Sequence, residues 1–285
     1  MKKAKPYLFL SPMLVIMGVF VVYPIIRTLL YSFYRLKLTD PTNVRYIGWE
    51  NYRVILHSAD FYRALANSAY ILAFVLILGL GASLVVALML NRQSRLSPIL
   101  TAIAIIPWAL PPIVNGIIWQ FIFYPGYGLL NKLLLSFGFI THPLALTNQR
   151  LTLMAIAALV LVFRVVPFCA ILLLAGLQAI PHELYEASRV DGANTRQNFT
   201  YITLPLLLPH LTVVLIQLTM AGLNIFDEMV ALSGYRLESQ TLLVYNYMNT
   251  FSFLNFGYGS AITYLIMILS GLIGFIYIKS MAGED

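Results

Sequence analysis

Two places in this chain carry residue types that could do chemistry. Arg164 stands inside the apolar run ALVLVFRVVPF, and Glu186 to Pro205, EASRVDGANTRQNFTYITLP, forms a polar island between two long apolar stretches. A guanidinium is a planar fork of donors that suits hydroxyls or anionic groups. The island offers something else: E-A-S-x-x-D-G-A at Glu186 to Ala193, nine residues between Gly192 and Ile202, then I-x-L-P at Ile202 to Pro205. Small, acidic and amide residues in that order suit contact with something outside the membrane. An ordinary connector between spans is the plainer alternative.

Catalytic and metal chemistry find little support. The four histidines, His57, His142, His182 and His210, are scattered over connections and the ends of apolar runs, whereas a membrane-embedded enzyme would gather His, Asp and Glu at one depth. Cys169 is the only cysteine, so no intrachain disulfide or cysteine metal site can form, and its apolar surroundings read as packing. No Gly-Lys pair occurs, hence no phosphate loop of the G-x-x-x-x-G-K-[ST] type, and any ATP must be bound by another chain. A secondary transporter or channel would use intramembrane carboxylates or inverted repeats. The apolar runs hold no carboxylate and no clear repeat.

The elements that must position these residues are membrane helices. With 60% hydrophobic residues, 10% charged and a mean hydropathy of +0.83, the chain lies far from soluble composition. Its net charge of +7 comes from basic residues placed mostly between apolar runs, as anchors rather than as a nucleic-acid surface. A membrane-crossing helix needs about 20 apolar residues. Six runs qualify: Tyr7 to Phe33, Asn67 to Leu90, Pro98 to Tyr124, Leu151 to Leu177, Leu204 to Phe226 and Gly257 to Ile278. The expectation is an all-α integral membrane protein, one transmembrane domain over residues 1–285, with no soluble domain. The first run far exceeds the roughly 7–15 residues of a signal-peptide core and no A-x-A site follows, so it should stay attached.

Six spans put both termini on one side. Lys2, Lys3 and Lys5, with Arg92 and Arg95 in the short second loop, place that side in the cytoplasm by the positive-inside rule. Arg35 to Arg63 carries five Lys or Arg on the other side, diluted by three acidic residues and by length. The segment YIGWENYRVILHSADFYRAL suits an amphipathic interfacial helix. The second internal loop is then 178–203, which contains the polar island.

Within that loop Pro181 suits the first turn of a helix over His182 to Val190. Gly192 stops it in a left-handed conformation. Asn194 and Gln197 form a capping box for a second short helix leading to Leu204-Pro205. Asn198-Phe199-Thr200 matches a glycosylation sequon that has no meaning on a cytoplasmic loop.

The third run, IIPWALPPIVNGIIWQFIFYP, should kink or break at Pro107, Pro111 and Pro112. A broken helix at membrane depth must be covered by protein or line a cavity, so this run faces the pathway, a partner or its neighbours. Trp108 and Trp119 could equally anchor the interface. Arg164 lies about 20 Å along its span, and all eleven acidic residues fall outside the apolar cores. A level salt bridge within the chain is therefore not expected. Backbone carbonyls near Pro167, an acidic group on a partner and a water-filled path remain as its options, with direct solute contact beside them.

The ordered E-A-S…D-G-A…I-x-L-P pattern resembles the EAA loop of permease subunits of bacterial binding-protein-dependent ATP-binding-cassette importers. PYLFLSP…YPIIRTLLYSF, IGWENYRVIL and FDEMVALSGY…TLLVYNYMNTFSFLNFGYGSAI look like the carbohydrate-uptake branch, the sugar and glycerol-phosphate permeases. The resemblance covers nearly the whole chain. It implies a type I importer permease fold with a cytoplasmic coupling-helix loop, in the inner membrane. Glu186, Ala187, Ser188, Asp191, Gly192 and Ala193 would then seat against an ATPase. Ser188 departs from the usual second alanine but is similarly small, and Ser233-Gly234-Tyr235 departs from a Gly-Gly-Pro turn.

The resemblance also implies a second permease, a distinct homologue making a heterodimer, two ATP-binding subunits carrying ATP with Mg, and an external solute-binding protein. The chain itself would hold no cofactor and catalyse nothing. The spans flanking the loop nominate Arg164, Phe168, Gln217 and Asn224 as solute contacts. A sugar or oligosaccharide is the expected solute. Another solute class such as glycerol phosphate, or a secondary transporter, is the alternative.

Overall fold

The computed structural model describes residues 5–92 and 96–282; Lys2, Lys3 and Arg95, used above for orientation, lie outside them. Helices dominate, because in lipid each backbone N–H and C=O must be satisfied within its own segment. α1 (Lys5–Met17) and α2 (Tyr23–Ser32) join through a π turn at Gly18–Val22. A two-residue antiparallel ribbon, β1 (Tyr34–Arg35) with β2 (Arg45–Tyr46), precedes α3 (Glu50–Leu56) and α4 (Ala59–Leu90). α5 (Ser97–Ala104), a 3-10 turn (Ile106–Ala109) and α6 (Pro112–Phe123) follow, then α7 (Leu129–Ser136) and α8 (Arg150–Gln178). After the hairpin helices α9 (His182–Val190) and α10 (Thr195–Asn198) come α11 (Leu204–Leu223), α12 (Asp227–Ser233), α13 (Leu242–Tyr247) and α14 (Phe256–Ala282).

Five of these stretches are long and apolar enough to cross a membrane: Leu10–Ser32, Ala59–Leu90, Arg150–Gln178, Thr195–Leu223 and Phe256–Tyr277. The third run is the sixth, broken as its prolines require. Ser97–Ala109 and Pro112–Phe123 meet at 91°, with Leu110 and Pro111 extended between them.

The chain divides into two compact units, Met1–Tyr62 with Tyr245–Leu269 and Arg63–Val244 with Ser270–Asp285. In the first, polar side chains tie the ribbon and α3 to the end of α2. Asn51 Nδ2 donates to Ser32 O (2.8 Å) and Tyr34 O (3.0 Å), and the Tyr52 hydroxyl donates to Ser32 Oγ (2.8 Å). The segment expected as one interfacial helix is two, α3 and the start of α4. They part at His57-Ser58, where Ser58 Oγ accepts the Phe61 N–H and caps the new helix.

The second unit is built around α8, two-thirds (67%) of whose apolar window is buried. Leu153, Met154, Ala157, Leu161, Cys169 and Leu173 fill its core, and α11 and the broken third span pack on it. Small residues let helices approach where no hydrophobic force drives them together. Gly116 of α6 shows this: a Cβ there would fall 2.6 Å from Ala231 Cβ and 2.9 Å from Glu228 Cα of α12. The second span reaches back past Asn67 because that side chain is buried and used. Its amide donates to Glu238 O (3.0 Å) and Gln240 O (2.8 Å) and accepts from Arg150 Nε (2.8 Å).

Candidate functional site

The polar island folds as a hairpin at the end of the second unit where α8 and α11 meet the connection. Local signals dictate its shape. α9 covers His182–Val190 with Pro181 at its N-cap. Gly192, at φ +80°, ends it: the Ala193 N–H reaches Ser188 O (2.9 Å) and the Gly192 N–H reaches Arg189 O (3.1 Å), closing the last turn in a Schellman arrangement. One residue later Asn194 and Gln197 make a complete capping box, with N–H···O distances of 2.9 and 2.8 Å. No residue of the turn is left to wander.

The hairpin is also tied down from behind. The Tyr185 and Thr203 hydroxyls are hydrogen-bonded (2.9 Å), linking α9 to the π turn Phe199–Thr203 at the start of the fifth span. Pro205 lacks the N–H that an α-helical turn would use there, which favours a widened turn. Glu186, Ala187, Asp191 and Gly192 are exposed, Ser188 and Ala193 half-buried. Ser188 Oγ donates to Tyr185 O (2.9 Å), so serine fits in place of alanine by bonding its own helix. Glu186 Oε1 lies 3.3 Å from His182 Nδ1. Beside these polar groups Val190 is 89% and Tyr201 76% exposed. A rigid polar hairpin with protruding apolar side chains offers a surface on which another protein could seat.

The second constellation lies where α6, α8 and α12 converge. Arg164 Nε donates to Glu228 Oε1 at 2.7 Å, with the two side chains 18% and 3% exposed. The expectation of no carboxylate at this level is thereby corrected. The fifth span does not continue to Phe226. α11 ends at Leu223, the chain reverses through Asn224 to Phe226, and α12 folds back along α6 with Glu228 in its first turn. An acidic residue there is favoured by the helix N-terminus as well as by the arginine.

The rest of this neighbourhood is equally specific. Trp108, in the break of the third span, stacks on Phe168 of α8 with centroids 5.2 Å apart and planes at 15°. Asn115 is 1% exposed and donates from Nδ2 to Val160 O (3.0 Å), fastening α6 to α8. Arg164 and Phe168 thus stand one turn apart on α8, the first paired with Glu228 and the second stacked on Trp108, with Asn115 bonded one turn before Arg164. Gln217 lies on α11, half-buried, and Asn224 is the exposed residue that ends it two turns later, its amide donating to Met220 O (2.8 Å). No hydrogen bond among the described residues joins that pair to Arg164 or Phe168.

The family model of the binding-protein-dependent transport system inner membrane component matches residues 76–281. The chain belongs to that family. It is a permease subunit, a transport component of the inner membrane. The permease is 35% identical to the sulfoquinovosyl glycerol transport system permease protein SmoG of Agrobacterium fabrum over 98% of its own length and 90% of the relative's. To the trehalose/maltose transport system permease protein MalF of Thermococcus litoralis it is 34% identical, over 96% and 92%.

Among solved structures, a chain of a bacterial ABC transporter involved in the import of the acidic polysaccharide alginate superposes with a TM-score of 0.85 at 21% identity, covering 98% of the permease and 96% of that chain. The fold is that of type I importer permeases. Two residues of the site escape a reading of sequence: Glu228, hidden in what looked like an outer connection, and Trp108, which suited an interface anchor as well. The signal for Glu228 was the apolar stretch Met229 to Leu232 directly behind two carboxylates, enough for one short helix to fold inward.

Proposed function

We propose that this permease imports a saccharide, a sugar, glycoside or oligosaccharide, by ATP-driven alternating access in a multi-subunit membrane assembly. The observation that carries the solute class is identity of 34–35% along almost the whole chain to two permeases named for a sugar glycoside and for disaccharides. The assembly would comprise a second, distinct permease, two ATP-binding subunits that hold ATP with Mg, and an external binding protein that delivers the solute. Both termini and the loop 178–203 would face the cytoplasm.

In this reading the hairpin is the receiving end of the ATPase. Its termini are locked by the Gly192 stop and the Asn194–Gln197 box, so a push on α9 is transmitted to α8 and α11 instead of being absorbed by the loop. Val190 and Tyr201 supply apolar contact, and Glu186, Ala187, Ser188, Asp191, Gly192 and Ala193 the close-fitting polar surface. Along the spans, the Phe168 face and the amides of Gln217 and Asn224 are the groups a saccharide would meet, through ring stacking and paired donors and acceptors. Arg164 holds Glu228, and with it the re-entrant α12, at the edge of that path.

The test is ATPase activity of the reconstituted importer with binding proteins loaded with different solutes. Stimulation by a saccharide-loaded protein is the expected result. Stimulation only by loaded proteins for other solutes, glycerol phosphate among them, overturns the saccharide reading.

A further inference from the structure

At the end of the second unit opposite the hairpin, two adjoining cavities of about 580 and 340 Å³ share Thr147, Asn148 and Arg236. Their volumes fall in the range of sites for small molecules. Arg236 is fixed between them: Nε donates to Ser233 O and Nη2 to Thr147 O, both at 3.1 Å. These bonds hold the guanidinium plane and leave three of its five N–H donors for other partners. Gln120 and Asn148 bring exposed side-chain amides to the larger cavity, and Tyr124, which lines it, stacks on Tyr127 with centroids 4.2 Å apart. Gly234 shapes the wall with φ +65° and ψ −141°, a conformation essentially confined to glycine, so the Ser233-Gly234-Tyr235 turn keeps the residue this bend needs.

We infer that these cavities form an outer saccharide-docking site, distinct from the span residues, which receives the solute before it enters the membrane. A fixed guanidinium, two planar amides and an exposed aromatic pair are the set that recognises a ring of hydroxyls with an apolar face. The inference rests on the reading of the chain as a saccharide permease.

The experiment uses the whole importer in lipid nanodiscs without its binding protein, with saturation-transfer NMR of sucrose, maltotriose and digalacturonate. At least one shows transfer with the parent protein. Arg236→Ala weakens it about tenfold, as expected for a lost charged hydrogen bond. The pair Gln120→Ala/Asn148→Ala, two exposed side chains, weakens it similarly and guards against misfolding of the arginine variant.

Unchanged transfer in these variants overturns the site. So does a loss of binding-protein affinity with saccharide transfer intact, which would make the cavities a protein-docking surface. Absence of transfer from all three probes, in an importer whose ATPase a saccharide-loaded binding protein stimulates, overturns the site and leaves the proposed function standing. Failure of that stimulation removes both.

Discussion

The hairpin and the α6–α8–α12 junction both depend on charged residues, yet they hold them in opposite ways. At the hairpin Glu186 keeps 67% of its side chain exposed, with His182 3.3 Å away. At the junction Glu228 is 3% exposed and locked to Arg164 at 2.7 Å. Water solvates the first carboxylate, so its contact within the chain contributes little. The second carboxylate has given up water, so its partner is indispensable to the fold. The same residue type is therefore exposed and free to meet a partner in one place and a structural fastener in the other. What separates the two is whether the backbone around them is fixed by local caps or by contacts between distant helices.

The largest expected effect breaks the junction. Arg164→Ala or Glu228→Ala leaves one charge buried and alone, at a cost of about 3–5 kcal/mol. Thermal unfolding of detergent-purified protein, together with the yield of membrane-inserted chain, reads it. Replacing both partners, Arg164→Met with Glu228→Leu, should restore stability to near that of the parent. The double variant then sharpens the comparison. Restored stability with restored uptake confines the pair to fastening α12, whereas restored stability with lost uptake assigns Arg164 a contact with solute. Single variants as stable as the parent would remove the pair from the account.

A smaller effect follows from the same junction without touching a charge. Gly116→Ala inserts a methyl 2.9 Å from a backbone carbon of α12. A backbone atom cannot swing aside as a side chain does, so α12 must shift, at about 1–3 kcal/mol. The shift should loosen the Arg164–Glu228 pair, and combining Gly116→Ala with the Arg164→Met/Glu228→Leu pair should then cost less than the sum of the two. Strict additivity would show that the close approach and the ion pair are independent.

The difference between the two regions also explains what sequence makes legible. The turns and caps of the hairpin are set by neighbours in the chain: Gly192 two residues past the helix, Asn194 three before Gln197. The proline break in the third span is local in the same sense and appears where Pro111 and Pro112 put it. Arg164 and Glu228 are 64 residues apart. Their meeting depends on α12 turning back into the bundle, and no spacing rule along the chain records that turn. Treating the residues after Phe226 as an outer connection hid the carboxylate that pairs with the buried arginine.

The smallest effect on stability belongs to the hairpin, and it should carry a large effect on transport. Glu186→Ala removes an exposed side chain whose contact with His182 is worth at most about 0.5 kcal/mol. Unfolding should therefore be indistinguishable from the parent's. If the hairpin is the seat of the ATPase, the same variant should copurify less of the ATP-binding subunit or hydrolyse ATP without moving solute. His182→Ala, which deletes the intrachain contact but leaves the carboxylate, separates the two roles. Uptake kept in His182→Ala and lost in Glu186→Ala places the function of Glu186 on the partner. Equal loss in both would mean that the His182 contact shapes α9 for docking, and that an exposed pair can matter through geometry even where it contributes almost nothing to stability.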